Sequence, residues 1–377
     1  MDRLERETPH LLEQKGISRR EFLKFCTVMA ATLALPADFV PRIAKALEQA
    51  KRPPVIWLEF QDCAGCTESF LRARQPTVAE IVLDILSVNY HETIMAPSGF
   101  QAEQSLKDTV AAGGYLTIVE GSIPTADDGI YCCIAGRTAL DILEEVAANT
   151  AAIITVGACA FYGGWPNASP NPTGAMGVKD IISGVPIINL PGCPPNADNI
   201  TATVVHYLTF HSLPETDDLG RPLFAYGMRI HDNCERRAHF DAGEFVKEWG
   251  DEGHRKGWCL YQMGCKGPIA FHNCPSIRWN EGTNWPVGAG HPCFACAAPH
   301  FWERPIYEPV DIWEGRTPPT TYPPVEAPTP AWPVNVRLAT AAAAGAAGLA
   351  IGAAAGAIAG QRAAKKGSNE KEEGEGS

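Results

Sequence analysis

The chain has 377 residues, a formal net charge of −12 and a hydrophobic share of 45%. The acidic balance excludes a nucleic-acid binder that works through a basic face, while the length allows two domains with a sizeable core. Its 13 cysteines are odd in number, and the chain is too long to need the disulfide framework that staples short secreted domains.

The N-terminus carries a twin-arginine motif, Ser18-Arg19-Arg20-Glu21-Phe22-Leu23-Lys24. An apolar stretch follows at 25–35, and Ala44-Lys45-Ala46 offers an A-x-A cleavage site. Residues 1–46 therefore read as a twin-arginine signal peptide, removed and not folded into the domain. The plainer alternative is an amphipathic N-terminal helix that happens to contain two arginines. The twin-arginine route carries folded proteins, so export is compatible with cysteines already bound to metal. Cys26 would leave with the segment.

In the next part, 53–227, apolar runs end in loops rich in glycine and cysteine. V-I-W-L-E-F at 55–60 leads to Cys63-Ala64-Gly65-Cys66, and the run at 115–119 leads to Glu120-Gly121-Ser122. The run at 152–156 leads to Gly157-Ala158-Cys159, and that at 186–190 to Pro191-Gly192-Cys193. Helical patterns lie between, at 78–86 and 137–148. Strands alternating with helices predict a parallel α/β sheet, and such sheets place ligands beyond the carboxyl ends of their strands. Cys63, Cys66, Cys159 and Cys193 all fall there and can converge. Four thiolates suit a 4Fe–4S cluster or a zinc ion; the alternative is that Cys159 and Cys193 are buried apolar thiols.

From 228 to 315 periodicity fades and Gly, Pro and Trp are frequent, which predicts a small region organised by ligands and not by a sheet. His231, Cys234, Cys259 and Cys265 form a mixed set, with the His-x-x-Cys spacing favouring ligation. His272 reads as structural. Cys274, Cys293 and Cys296 form a set of three, suited to a 3Fe–4S cluster. A zinc site there would want a fourth ligand, for which His291 is the candidate. Cys132 and Cys133 stand outside all three sets and read as buried packing.

A Pro/Thr-rich linker, 316–337, leads to 338–360, which is 23 residues without a charge. As a helix it would be about 35 Å long, enough to span a bilayer core of about 30 Å. Gly348, Gly352, Gly356 and Gly360 form a ridge for close helix packing. The alternative is an Ala/Gly low-complexity tail. Arg362, Lys365 and Lys366 open the charged tail, 361–377, and place it in the cytoplasm by the positive-inside rule. The expected location is the cell (inner) membrane, with the body on the periplasmic side.

Eight stretches carry a family resemblance: C-A-G-C-T-E-S at Cys63, E-G-S-I-P at Glu120, G-A-C-A around Cys159, N-P-T-G-A at Asn171, P-G-C-P-P-N around Cys193, H-x-x-C-E-R-R-x-H-F-D-A-G-E-F at His231, K-G-W-C-L-Y-x-M-G-C-K-G-P around Cys259 and N-W-P-V-G-A-G-H-P-C-F-A-C ending at Cys296. In these the chain resembles the small, electron-transfer subunit of nickel–iron hydrogenases over 53–315, and its two ends resemble the membrane-bound uptake branch. The resemblance implies a flavodoxin-like domain followed by a small iron–sulfur domain. It implies a proximal 4Fe–4S cluster on Cys63, Cys66, Cys159 and Cys193, and a distal 4Fe–4S cluster on His231, Cys234, Cys259 and Cys265. It further implies a medial 3Fe–4S cluster on Cys274, Cys293 and Cys296, with Pro286 where a fourth cysteine could stand.

In the family the nickel–iron centre belongs to a separate large subunit. The two C-x-x-C pairs here, Cys63/Cys66 and Cys293/Cys296, are taken by clusters, so no catalytic residue is expected on this chain. The expected partners are that large subunit, a quinone-linked or cytochrome b-type membrane subunit, and the lipid bilayer. An oxygen-tolerant branch carries two extra cysteines; the matching positions here are Gly65 and Gly164, which implies an oxygen-sensitive enzyme. The competing reading from another class is an exported, zinc-stabilised binding protein.

Overall fold

Five short parallel strands form the central sheet of the computed structural model, which describes residues 19–49, 53–72 and 86–310. They are β1 (Pro54–Glu59), β2 (Ser87–His91), β3 (Leu116–Glu120), β4 (Ala152–Val156) and β5 (Ile187–Leu190). Their order is β2-β1-β3-β4-β5, the flavodoxin-type arrangement. Central strands are buried on both faces, which is why β3 and β4 read as continuous apolar runs. The edge strand β2 carries Ser87, Asn89 and His91 and gives no such signal.

Each strand alternates its side chains between two apolar layers. Val55 and Trp57 face a layer shared with Ile118, Ile154 and Ile188, whereas Ile56 and Leu58 face a layer shared with Val119 and Ile153. Helices α4 (Phe100–Ala112) and α5 (Ala139–Ala147) cover the second layer. Thr138 starts α5 by accepting the Asp141 N–H at 3.1 Å. Helix α7 (Ala197–Phe210) covers the first layer through Ile200 and Val204. The expected helical run at 78–86 lies almost wholly outside the described residues.

Residues 19–46, assigned above to a removable signal, are described as part of two helices, α1 (Arg19–Thr32) and α2 (Val40–Gln49). Phe22, Phe25, Cys26 and Met29 of α1 and Ile43 and Leu47 of α2 are buried in the same layer as α7, while Arg20 is exposed. The amphipathic-helix alternative anticipates this packing.

Beyond α7 the chain is held by short turns and isolated bridges around a third core built on Ile230, Val246, Leu260, Trp285 and Val287, as the loss of periodicity predicts. The change of character near 227 is not a gap. Asn199 and Asn273 exchange side-chain hydrogen bonds at 2.9 Å, Asn196 donates to the Arg278 carbonyl at 2.6 Å, and Arg221 reaches the Ala297 carbonyl at 3.4 Å. The chain divides instead into Met1–Ile312 and Trp313–Ser377. The second unit lies outside the described residues, and with it the expected linker, anchor and tail. Among the described residues, no helix is long and apolar enough to cross a membrane.

Candidate metal centres

Parallel register puts four strand ends in a row: Glu59 pairs with Glu120, Glu120 with Val156, and Val156 with Leu190. Cys63 follows β1, and Cys66 lies in the first turn of α3 (Gly65–Leu71). Cys159 lies in α6 (Gly157–Tyr162), which starts directly from β4, and Cys193 follows β5. The four thiols come together at this edge. Burial pushes the Cys66 thiol well above its ordinary range, and then Glu120, Cys159, Cys193 and Cys63 push it further. Cys159 is pushed up to about 12, first by burial and then by Cys193.

Two glycines permit this convergence. A Cβ on Gly157, at φ +94°, would lie 2.6 Å from Cys66 Sγ, and one on Gly164, at φ +60°, 2.4 Å from Cys159 Sγ. Both positions need the left-handed backbone region that glycine enters freely.

The second set gathers around one small pocket lined by His231, Cys234, Cys259 and Cys265. His231 is 5% exposed, and its buried Nε2 has no hydrogen-bond partner. Burial, and then the Arg237 charge, pull its imidazole down to about 4. A neutral imidazole with a bare ring nitrogen in an apolar site is a good metal donor. Cys259 is pushed up to about 12 by burial, with Cys265 and Cys234 adding to it.

Cys274, Cys293 and Cys296 line a cavity of about 430 Å³ together with Pro286, Trp285 and Cys193. Burial raises all three thiols. His291, the possible fourth zinc ligand, is engaged elsewhere: its ring stacks on Trp249 and its Nδ1 lies 2.9 Å from the Pro292 carbonyl. His272, expected to be structural, stands beside Cys274, its Nδ1 3.0 Å from the Sγ. It is 3% exposed, stands edge-on to Tyr226, and its Nδ1 accepts the Cys274 N–H at 3.1 Å.

Adjacent sets touch. Cys193 lines the same cavity as Cys274, Cys293 and Cys296, and the Cys265 thiol stands close enough to the Cys293 thiol to push it up. The set of three therefore adjoins both of the others.

The donor chemistry fits iron–sulfur clusters. Desolvated thiols that repel one another stay ionised only beside a strongly electropositive group. A tetrahedral zinc ion with bonds of about 2.3 Å would draw its sulfurs to about 3.8 Å from one another. Among the described residues, only Glu59, Asp62 and Glu120 bring three candidate ligand atoms within 4.8 Å; the sulfurs are more widely spread, as a larger cluster requires.

Sequence reasoning missed the residues behind the ligands. Glu120, 1% exposed, accepts hydrogen bonds from the Cys66 and Thr67 backbones and the Thr67 hydroxyl. An acid closing the otherwise apolar L-T-I-V-E strand was the available signal. Lys266, 1% exposed beside Cys265, gave no signal beyond its place in a motif. The exposed Trp165 stands beside the Cys193 thiol and works against its upward shift. Against the expectation of buried packing, Cys132 is only half-buried and Cys133 is exposed. It begins a two-residue antiparallel pairing with 137–138, where successive side chains point opposite ways.

Comparison with known proteins agrees with this geometry. Residues 226–307 match the family described as the C-terminal part of the NiFe/NiFeSe hydrogenase small subunit, and residues 63–207 the NADH ubiquinone oxidoreductase 20 Kd subunit family. The chain is 50% identical over 302 residues to the periplasmic [NiFe] hydrogenase small subunit 1 of Nitratidesulfovibrio vulgaris, covering 79% of this chain and 95% of that one. It is 48% identical over 306 residues to the quinone-reactive Ni/Fe-hydrogenase small chain of Wolinella succinogenes, covering 80% and 86%. The structure of a reduced, active Ni-Fe-Se hydrogenase from Desulfomicrobium baculatum aligns with a TM-score of 0.65 and 36% identity, over 69% of this chain and all of that one. With its parallel sheet, its adjoining sets of thiols and relatives matched over nearly their whole length, this chain belongs to the small subunits of nickel–iron hydrogenases.

Proposed function

We propose that this chain carries electrons from hydrogen oxidation in its large partner, through three iron–sulfur clusters, to a quinone-linked membrane protein. The observation that carries the reading is the contiguity of the three ligand sets, with Cys193 in the cavity of Cys274, Cys293 and Cys296 and Cys265 beside Cys293. In this reading Cys63, Cys66, Cys159 and Cys193 hold the proximal 4Fe–4S cluster. Cys274, Cys293 and Cys296 hold the medial 3Fe–4S cluster, and His231, Cys234, Cys259 and Cys265 the distal 4Fe–4S cluster. Such clusters supply one-electron conduction, at potentials set by ligation, hydrogen bonds and burial. The protein's part is to fix their order, exclude water and aim backbone N–H groups at the sulfurs, as Arg236 does at Cys234 and Ala295 at Cys293, both at 3.4 Å.

The body is exported by the twin-arginine route and held at the membrane, on its periplasmic side, by a helix at 338–360. The quinone-reactive relative supports a membrane acceptor. Glycine at 65 and 164 supports a four-cysteine proximal site and oxygen sensitivity, since an added side chain at 164 has no room beside Cys159. The test is co-purification with a large partner, hydrogen-dependent dye reduction, and metal analysis. About eleven iron atoms with acid-labile sulfide are expected. Zinc in place of iron, without sulfide, or the absence of a large partner, would sink the reading.

A further inference from the structure

Lys266 lies between two of the ligand sets. It directly follows Cys265, and its backbone N–H donates to the Cys293 carbonyl at 2.6 Å. The side chain turns inward and is 1% exposed. Its Nζ donates to three main-chain carbonyls: Gly264 at 3.0 Å, Ile306 at 2.8 Å and Glu308 at 3.2 Å.

The number of acceptors identifies the charge state. An ammonium has three N–H donors and no acceptor, whereas a neutral amine keeps two donors and a lone pair. Three carbonyl oxygens around one nitrogen match the ammonium donor for donor; a lone pair aimed at a third carbonyl would be repulsive. The segment at 306–308 reaches Nζ because Gly264 has no side chain, since a Cβ there would lie 2.4 Å from the Tyr307 carbonyl carbon. The Tyr261 hydroxyl holds the same segment further on, donating to the Val310 carbonyl at 2.6 Å.

Burial pulls the ammonium below its ordinary range; the Cys265 and Cys293 thiols oppose that pull, Arg304 adds to it and Glu308 opposes it. Carbonyl dipoles solvate a buried ammonium but do not neutralise it, and an uncompensated buried charge is strongly destabilising. Glu308 supplies one negative charge, and the groups held on either side supply the rest.

We propose that Lys266 is a fixed buried positive charge shared by the Cys265 and Cys293 ligand sets, where it raises both reduction potentials and so favours electron transfer onto them from the proximal set. The inference rests on the ligand assignment under Proposed function. A cation beside both centres stabilises the reduced, more negative form of each. The proximal set, beyond Cys296, is out of its immediate reach.

The test is an EPR-monitored redox titration of the intact heteromeric hydrogenase carrying Lys266→Met, Lys266→Gln or Lys266→Arg. At a fixed ambient potential near the wild-type midpoint, the neutral Met and Gln variants are expected to lower the reduced-to-oxidised ratio of the medial and distal centres about tenfold, or about 59 mV for a one-electron couple. Lys266→Arg should stay within about twofold of wild type, and the proximal centre should not move. A structural role would instead sort the variants by shape and leave the potentials alone. Unshifted medial and distal centres in a fully loaded neutral variant overturn the proposal, as does an Arg variant shifted as far as the Met one. If only the Arg variant loads iron fully, the charge serves assembly and not potential, and the proposal also fails. Wild-type protein lacking the medial and distal signals would defeat the ligand assignment itself, and this inference with it.

Discussion

Glu120 Oε1 accepts the backbone N–H of Cys66 at 2.9 Å, so an acid at the end of a central strand holds the first turn of the helix that carries this proposed cluster ligand. The other oxygen accepts the Thr67 N–H at 2.9 Å and the Thr67 hydroxyl at 2.7 Å. Helix N-terminal N–H groups have no partner within the helix, and here one carboxylate satisfies two of them. Glu120→Ala would strand the Cys66 and Thr67 backbone N–H groups, each costing about 1–3 kcal/mol, while the Thr67 hydroxyl keeps Glu59 at 3.2 Å. The expected result is a fall in stability of about 2 kcal/mol or more and loss of the proposed proximal centre before the others. Glu120→Gln keeps one acceptor and should fall between. Thermal melting with iron analysis checks this; an Ala variant with wild-type stability and full iron would show that the contact does not matter.

Pro286 lines the cavity with Cys274, Cys293 and Cys296. If the three cysteines hold a three-iron cluster, Pro286→Cys supplies a fourth thiolate at the same wall. Iron should rise from about eleven to about twelve per chain, and the signal of the oxidised three-iron centre should vanish from the EPR spectrum. The Pro286 carbonyl that accepts the His291 N–H at 2.9 Å survives the exchange. A persistent three-iron signal in a loaded variant would exclude Pro286 as the fourth position.

The sheet was legible where strands are buried on both faces. Ala152–Val156 and its neighbours are unbroken apolar runs, and their cysteine loops followed from the rule for parallel sheets. The edge strand Ser87–His91 was not legible, because one of its sides is unpaired and its polar residues mimic a loop. Among ligands, the C-x-x-C pairs were visible locally, but grouping Cys159 with Cys193 needed either the strand-end geometry or the family resemblance. Residues supporting ligands from a distance left little trace. Nothing around Lys266 in the sequence indicates that its ammonium meets the carbonyls of Ile306 and Glu308, far along the chain.

Glu92 gives a pH dependence. Its Oε2 accepts the Glu59 backbone N–H at 3.1 Å, while its buried Oε1 has no partner. Burial pushes its carboxyl up to about 8 from an ordinary 4.5. Between those values the folded chain keeps a proton that the unfolded chain has released, so stability falls as pH rises through this window, by up to about 1.4 kcal/mol per unit. Glu92→Gln retains the acceptor without the ionisation. Its stability advantage should be small near pH 4.5, grow towards pH 8 and level off above. A difference independent of pH would show that Glu92 does not carry this titration.

The packing of the N-terminal helix makes the export reading testable in its own right. Phe22, Phe25 and Met29 are each at most 5% exposed, in the layer that includes α7, while Arg20 of the twin-arginine motif faces solvent. Full burial of each such side chain is worth about 1.5–3 kcal/mol, so the helix can rest on the folded body while its motif stays open to recognition. A signal segment that rests in this way is still expected to be lost. Mature protein from the membrane fraction should lack residues 1–46 by intact-mass measurement. A doubly substituted precursor, Arg19→Lys with Arg20→Lys, should remain full length, iron-loaded and on the cytoplasmic side. Mature, active protein that retains Phe22 to Met29 would instead make α1 a permanent part of the core, and the twin-arginine reading would have to be abandoned.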